Sequence, residues 1–393
     1  MAKAVTLTGG AAASKGYKPA HHPSHSGLLY RPVRPSHQAH VDAIVVPTIR
    51  RAVVLQDALQ LGERLGRPVI ALCSGWSTPH RARALAESFS TELIAVDLTQ
   101  GIESWPEFRT ATTLGKRFRH KSDLSLKRNL GLALARMAGW QRLVFLDDDI
   151  TDVDPQDIKT AAALVDTHLI VTLENVGYPD NSVVCHALRR LRRVVGFAQD
   201  SFVGGGAMVV AANRIDSFFP NIYNEDWFFM LGVLNGESPK QIAAIGKAAQ
   251  QSYDPFLSPE RARIEELGDS LGEGLYALLD DGIPLSAAME IGFWEAFLGD
   301  RGGLLERLLA GVDEVRMDLA ERTKLVDSLK AALGVHKLIT PQLCVDYMRA
   351  WSEDRRLWSS YLTGLPAHVG LQNALSHLGL SSYPTRGFRS GDI

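Results

Sequence analysis

Short apolar runs alternate with stretches of helical period through the first two thirds of the chain. Ala43 to Val46 is an apolar run that stops at Pro47-Thr48, and Arg50 to Leu65 carries Val54, Ala58, Leu61 and Leu65 on one stripe before Gly66 and Pro68 end it. The pattern next predicts a strand from Val69 to Cys73 broken by Ser74-Gly75, a short helix from Ala82 to Ser88, and a strand from Glu92 to Val96 ending at Asp97. Strands and helices in alternation build a parallel sheet with right-handed crossovers. Residues 99–121 show no period. Ser122 to Gly139 is a helix with Ser122 as N-cap and Leu126, Leu130, Ala133, Leu134 and Met137 as its apolar stripe. That helix feeds Leu143 to Leu146, whose lack of alternation suits a strand covered on both faces. A helix beginning near Pro155, a strand from His168 to Leu173, an amphipathic helix from Asn181 to Val195 and a strand from Ala207 to Ala211 follow.

Beyond Tyr253-Asp254-Pro255 the spacing is helical over residues 258–281, 285–298, 303–333, 341–362 and 368–378, with no internal repeat. The chain therefore divides into three expected parts. Residues 1–40, with Gly9-Gly10, prolines and His21, His22 and His25, are expected to be a flexible or surface-lying tail without a specific metal site. Residues 41–255 form an α/β domain, and residues 256–393 a helical region packed on the sheet or serving as a homodimer surface.

Composition narrows the class of protein. With 46% hydrophobic and 22% charged residues the chain is globular, and a net charge of -2 gives no reason to expect a nucleic-acid partner. No apolar run reaches the length of a membrane span, and Cys73, Cys185 and Cys344, odd in number and in apolar surroundings, suit buried thiols in a reducing cytoplasm.

The chemistry concentrates at Arg142 to Ile150, RLVFLDDDI. Asp147, Asp148 and Asp149 are costly to bury unpaired, so the strand must deliver them to solvent or a cation at its carboxyl end, where α/β sheets bind ligands. Alternation along a strand points Asp147 and Asp149 the same way, so both can share one divalent ion with a diphosphate. Asp152 and Asp154 serve as caps for the helix at Pro155. Lys127, Arg128 and Asn129, at the start of the preceding helix, can reach phosphates. The basic loop with Lys116, Arg117, Arg119, His120 and Lys121 is either a solvated surface or a lid, whereas Arg189, Arg190, Arg192 and Arg193 form a solvated helix face. Gly204, Gly205 and Gly206 let backbone pass close to a ligand, or simply turn. In Ile222 to Met230, IYNEDWFFM, Glu225 and Asp226 have the chemistry of a general base, and Trp227, Phe228 and Phe229 that of a wall stacking on sugar rings.

From about Val41 to Gly236 these features, in order, resemble the GT-A glycosyltransferases that use nucleotide sugars, especially glycosyltransferase family 2. The resemblance is carried by the strand ending at Pro47, KRNLGLALARMAGW ahead of FLDDD, then GGGAMV and NEDW. It implies a Rossmann-like, mostly parallel sheet flanked by helices, with a helical region after it. It implies Mg2+ or Mn2+ held by Asp147 and Asp149 on the diphosphate of a nucleoside diphosphate sugar, and Asp226 as the base that deprotonates an acceptor hydroxyl, with Glu225 beside it. Pro47, Thr48, Asp97, Lys127, Arg128, Asn129, Asp148, Gly205, Gly206 and Trp227 are the expected substrate contacts. Two departures stand out: Cys73-Ser74-Gly75-Trp76 replaces the acidic residue that touches the base in many relatives, and no histidine follows Asp226 before the helical region to serve as a further metal ligand. The chain reads as an inverting glycosyltransferase, with a retaining variant next. A sugar-phosphate nucleotidyltransferase would carry a glycine-rich phosphate loop after the first strand, where this chain has PTIRR without a glycine, and Asp147, Asp149 and Asp226 argue against a non-catalytic nucleotide-sugar-binding protein.

Overall fold

The computed structural model describes residues 17–176, 182–196, 204–234 and 242–385. The expected helix start at Asn181 and the first sixteen residues lie outside this range. The strands are β1 (Ala43–Thr48), β2 (Val69–Cys73), β3 (Leu93–Asp97), β4 (Arg142–Leu146), β5 (Ile150–Thr151), β6 (Ile170–Val176), β7 (Ala207–Ala211), β8 (Ile242–Gln250) and β9 (Ser381–Pro384). The helices are α1 (Gln56–Leu65), α2 (Pro79–Ala86), α3 (Arg109–Thr113), α4 (Leu124–Ala138), α5 (Pro155–Leu164), α6 (Val183–Arg190), α7 (Arg192–Val195), α8 (Glu225–Leu234), α9 (Pro259–Asp280), α10 (Ile291–Gly311), α11 (Leu319–His336), α12 (Pro341–Gly364) and α13 (Leu371–His377).

One sheet runs β5-β8-β6-β7-β4-β1-β2-β3-β9. Its centre, β4-β1-β2-β3, is parallel, as expected of apolar runs joined by helices. β6 and β8 share that direction, while β7, β5 and β9 run against their neighbours, so six of the nine strands point one way. The sequence pattern does not announce β8 and β9. The alanines of β8, IAAIGKAAQ, carry little strand preference, and β9 is a four-residue edge strand that tolerates Pro384 because an edge needs no donor there.

Alternate residues of β1 enter two different cores. Ile44 and Val46 pack with residues of α1, α2 and α5, and Ala43 and Val45 with residues of α4 and the later helices. α4 lies close on β1 and β4 because Gly131 faces them, where a Cβ would stand 2.8 Å from Phe145 and 3.2 Å from Val45. The helices after residue 255 divide between two cores: Leu304, Leu308, Leu325 and Leu329 pack with Val184 and Leu188 of α6 in a cluster of their own, and other residues join the sheet. Trp294, Trp358 and Leu375 share one apolar cluster with Phe145 and Met208 of the sheet.

The segment from Tyr17 to His40 lies against the body rather than extending from it. Tyr30 bridges to Ala243 of β8, Leu28 is buried, and His25 is fully buried against Glu273 and Asp280 of α9 at 3.0 and 2.5 Å. Placing that histidine between two carboxylates raises its proton affinity. Burial itself works the other way, but Glu273 and Asp280 outweigh it and lift the pKa to about 9. Among the described residues no helix is long and apolar enough to cross a membrane.

Candidate active site

Alternation along β4 stops at Leu146, and the three acids sit in a turn instead of continuing the strand. The Asp147 N–H donates to the Gly206 carbonyl at 2.8 Å, one step past the β4–β7 ladder, and the Ile150 N–H closes the turn on the Asp147 carbonyl at 3.1 Å. Asp147 and Asp149 are thus brought together by a turn, which also presents Asp148. All three line a cavity of about 630 Å³ together with Pro47, Thr48, Ile49 and Arg50 after β1, and Asp123, Leu124 and Lys127 at the start of α4. Its far wall comes from Gln250–Asp254, Leu257, Ser258 and Arg261, with Tyr223 beside them. This is the carboxyl end of the parallel strands, the position at which open α/β sheets take ligands.

Two arginines of different character meet the acids, Arg128 at Asp147 and Arg50 at both Asp148 and Asp149. Arg128 is 2% exposed and reaches both oxygens of Asp147 at 2.8 Å, Glu225 at 2.8 Å, and the Gly205 carbonyl at 3.3 Å. Burial alone would ease its deprotonation, but Asp147, Glu225 and Asp226 outweigh it and hold it charged. Withdrawal from water pushes Asp147 up to about 6 against the pull of Arg128, with Asp149 and Asp148 adding to the rise, and burial pushes Glu225 up to about 8. Asp148 accepts from Thr48 Oγ1 at 2.8 Å and from Arg50 at 2.9 Å, and burial raises it as well. Asp149 meets Arg50 at 3.1 Å and Gln250 at 3.4 Å.

Lys127 is buried at the cavity floor, where its ammonium donates to the Thr48 carbonyl at 2.9 Å and Ser74 Oγ at 2.7 Å and pairs with Asp123 at 3.0 Å. Burial lowers its pKa despite that carboxylate. The floor therefore carries a dehydrated cation whose three partners fix it in place, one of them the carboxylate of Asp123.

Several expected contacts fall elsewhere. Arg128 does not line the cavity; it clamps the acid turn to α8. The Asn129 side chain is a buried clip on Phe219, donating to its carbonyl and accepting from its N–H, both at 2.8 Å. Trp227 is no stacking wall: it is 6% exposed, edge-on to His25 and Tyr276, and Phe228 and Phe229 are fully buried. Three large apolar side chains in a row on a helix cannot all face a cavity, and burial claims them first. Asp97 turns onto the Thr99 N–H at 2.9 Å, away from the cavity. Gly205 and Gly206 serve packing. A Cβ on Gly205 would stand 2.6 Å from that of Asp226, and one on Gly206 3.0 Å from Ile150. Asp226 accepts from the Gly205 N–H at 2.5 Å and the Trp227 N–H at 2.9 Å, and neither it nor Glu225 lines the cavity. The basic residues Lys116, Arg117, Arg119 and Lys121 are exposed outside the cavity lining, and the four arginines from Arg189 to Arg193 are exposed.

The sequence reading missed Arg50, Asp123, Tyr223 and the stretch from Gln250 to Arg261. Arg50 carried a signal, because a cation directly after an apolar strand sits at the same sheet edge as the acids. The wall from β8 carried none, since its alanines do not mark a strand.

A divalent ion suits the donor set. Asp147 and Asp149 are two hard carboxylates at one cavity, and Mg2+ is held by one or two such groups together with substrate phosphates and water. Among the described residues no cluster of three His, Cys, Asp or Glu side chains is placed to hold an ion.

The architecture defined by these elements is an α/β protein with a mixed, mostly parallel sheet and an acidic cavity at the carboxyl ends of its central strands. No protein-family profile matches the chain, nor does any curated protein. Among solved structures it is similar to glucosyl-3-phosphoglycerate synthase from Mycobacterium tuberculosis in complex with Mn2+, uridine diphosphate and phosphoglyceric acid, at 16% identity over 65% of this chain and 87% of that one, TM-score 0.39. It is similar to a mannosyltransferase from Pyrobaculum calidifontis in complex with GDP-mannose and Mn2+, at 14% identity over 85% of this chain and 92% of that one, TM-score 0.43. A mannose-1-phosphate geranyltransferase from Thermus thermophilus is similar over 53% of this chain and 73% of its own, at 14% identity and TM-score 0.27. The functional reading rests on the cavity and its side chains.

Proposed function

We propose that this protein is a glycosyltransferase that moves a sugar from a nucleoside diphosphate sugar to an acceptor hydroxyl. The observation that carries the reading is the pairing, in one cavity at the carboxyl ends of β1 and β4, of the acid turn Asp147–Asp149 with the dehydrated Lys127 and the long, half-exposed side chain of Arg50. A diphosphate needs cations near its oxygens and the acids need a cation between them, and one metal–diphosphate unit meets both needs. Asp147 and Asp149 would hold Mg2+ or Mn2+, which when bound supplies Lewis acidity to the departing diphosphate. Lys127 gives a fixed positive charge beneath the site, and Thr48 orients Asp148. Arg128 keeps Asp147 in place through both of its carboxylate oxygens.

In this reading Asp226, at the start of α8 and joined to the acid turn through Gly205 and Arg128, takes the proton from the acceptor, and the anomeric centre inverts. A second reading has a specific observation in its favour: Glu225 and Asp226 both stand outside the cavity lining, as suits a retaining transfer without a protein base. Product anomer determined by NMR separates the two. Asp226→Asn should reduce turnover by roughly a hundredfold or more in the inverting case, with donor affinity unchanged.

The class itself is tested by thermal-shift screening of UDP, GDP and dTDP, each with and without Mn2+. A rise that requires both metal and one nucleotide is expected. No rise with any pair would overturn the assignment.

A further inference from the structure

We propose that Arg50 is a resident counter-cation that holds the metal position of the acid turn until a nucleoside diphosphate draws it away. The inference rests on the reading of the cavity as a metal and diphosphate site, and deepens it. Among the described residues two guanidinium groups face the three acids, and they are held differently. Arg128 is locked, buried and hydrogen-bonded to Asp147, Glu225 and Gly205. Arg50 bridges Asp148 at 2.9 Å and Asp149 at 3.1 Å, yet its side chain is 47% exposed and both of these ion pairs are to the acid turn. The same two carboxylates are otherwise anchored, Asp148 by Thr48 at 2.8 Å and Asp149 by Gln250 at 3.4 Å, so they keep their place when the arginine leaves.

A fork-shaped cation spanning Asp148 and Asp149 occupies an oxygen of Asp149, one of the two carboxylates that would hold the divalent ion, and its charge repels that ion. Only the arginine end of these pairs is open to solvent, at 47% against 9% for Asp148 and 17% for Asp149, so Arg50 can swing away while the two sheltered carboxylates still call for a cation, which the metal supplies. A diphosphate offers it oxygens of matching geometry within the same cavity. The arginine therefore opposes metal binding alone and favours metal with nucleotide. This couples the two ligands, each raising the affinity of the other by the same factor.

The test is Arg50→Ala, with Arg50→Lys as a second variant, in the full chain. Mn2+ binding without nucleotide is read from the electron paramagnetic resonance signal of the unbound ion. Binding of UDP, GDP and dTDP with Mn2+ present is read by titration calorimetry. Arg50→Ala should bind Mn2+ alone roughly two- to fivefold more tightly and the metal-bound nucleotide more weakly by a similar factor, so that the two affinities move in opposite directions. Arg50→Lys, whose point charge cannot span both carboxylates, should fall between wild type and alanine. A side chain that only supported the fold would weaken both. Unchanged or weaker binding of Mn2+ alone by Arg50→Ala would overturn the proposal while Mn2+-dependent nucleotide binding by the wild type left the glycosyltransferase reading standing. Lack of that binding in the wild type would remove both.

Discussion

Asp149→Ala is expected to abolish Mn2+-dependent nucleotide binding with little change in melting temperature, because Asp149 faces the cavity and its side-chain partners are the half-exposed Arg50 and Gln250. Asp147→Ala should lose that binding and also destabilise the fold, since it strips a buried arginine of a partner held through both carboxylate oxygens. Titration calorimetry and thermal denaturation of the two variants check the contrast; equal melting temperatures would mean that Arg128 does not depend on Asp147. Arg128→Ala should cost about 3–5 kcal/mol, the usual loss when one partner of a buried ion pair is removed, whereas Arg192→Ala, on an exposed helix face, should cost almost nothing. Chemical denaturation measures both. At this scale the three acids and Lys127 could be found in the sequence, because carboxylates and a lysine beside apolar runs have few structural uses. The roles of Arg128, Asn129 and Trp227 could not. An arginine, an asparagine and a tryptophan serve a buried clamp as readily as a ligand, and what decides is the partner across the fold: Asp147 and Glu225, Phe219, and His25 with Tyr276.

Among elements, the segment around His25 differs most from its sequence pattern. Proline, histidine and glycine read as a tail, yet His25 fills a gap in a buried row of charges on α9, where Glu266 and Glu273 are held near 2. Burial works against that fall; Arg301 with His336 outweighs it for Glu266, and His21 with His25 for Glu273. A histidine raised to about 9 adds stability that is complete below its ordinary value near 6.5 and disappears as the pH rises through 9. The depressed Glu266 and Glu273 add stability above their ordinary value near 4.5 that is lost as the pH falls towards 2. The difference in unfolding free energy between wild type and His25→Gln should therefore be greatest near pH 6, at most about 3 kcal/mol, and shrink towards pH 10. Urea denaturation at those two values is the measurement, and a difference independent of pH would show that His25 contributes packing alone. β1 to β4, β6, β7, α1 and α4 were legible because their periods are local. β8 was not, since alanine fits helix and strand alike and its pairing with β6 decides its state.

For the whole molecule, the division at residue 255 follows the order of the chain, but the apolar interior does not observe it. Trp294, Trp358 and Leu375 lie in the same cluster as Val45 and Phe145. Heating should then give one transition, with calorimetric and van't Hoff enthalpies in a ratio of about 1. Proteolytic cutting between residues 255 and 258 should leave no independently folded fragment, and two resolved transitions in the scanning calorimeter would show instead that the helices form a unit of their own. The parallel centre of the sheet was legible as strand-helix alternation, whereas the reversed β7 and the outer β9 depend on where a distant segment returns. That return has a consequence in time. β3, with the sequence LIAVD, is closed on its outer side only by β9, roughly 290 residues further along the chain. At about 5–20 residues per second a ribosome needs on the order of 15 to 60 s to deliver the second of these strands after the first. Throughout that interval the nascent chain presents an uncovered row of backbone donors and acceptors on an apolar strand, the feature by which growing polypeptides on one messenger can stick edge to edge. Slow synthesis of the helical part would therefore lower the yield of this protein without altering a single contact in its finished form.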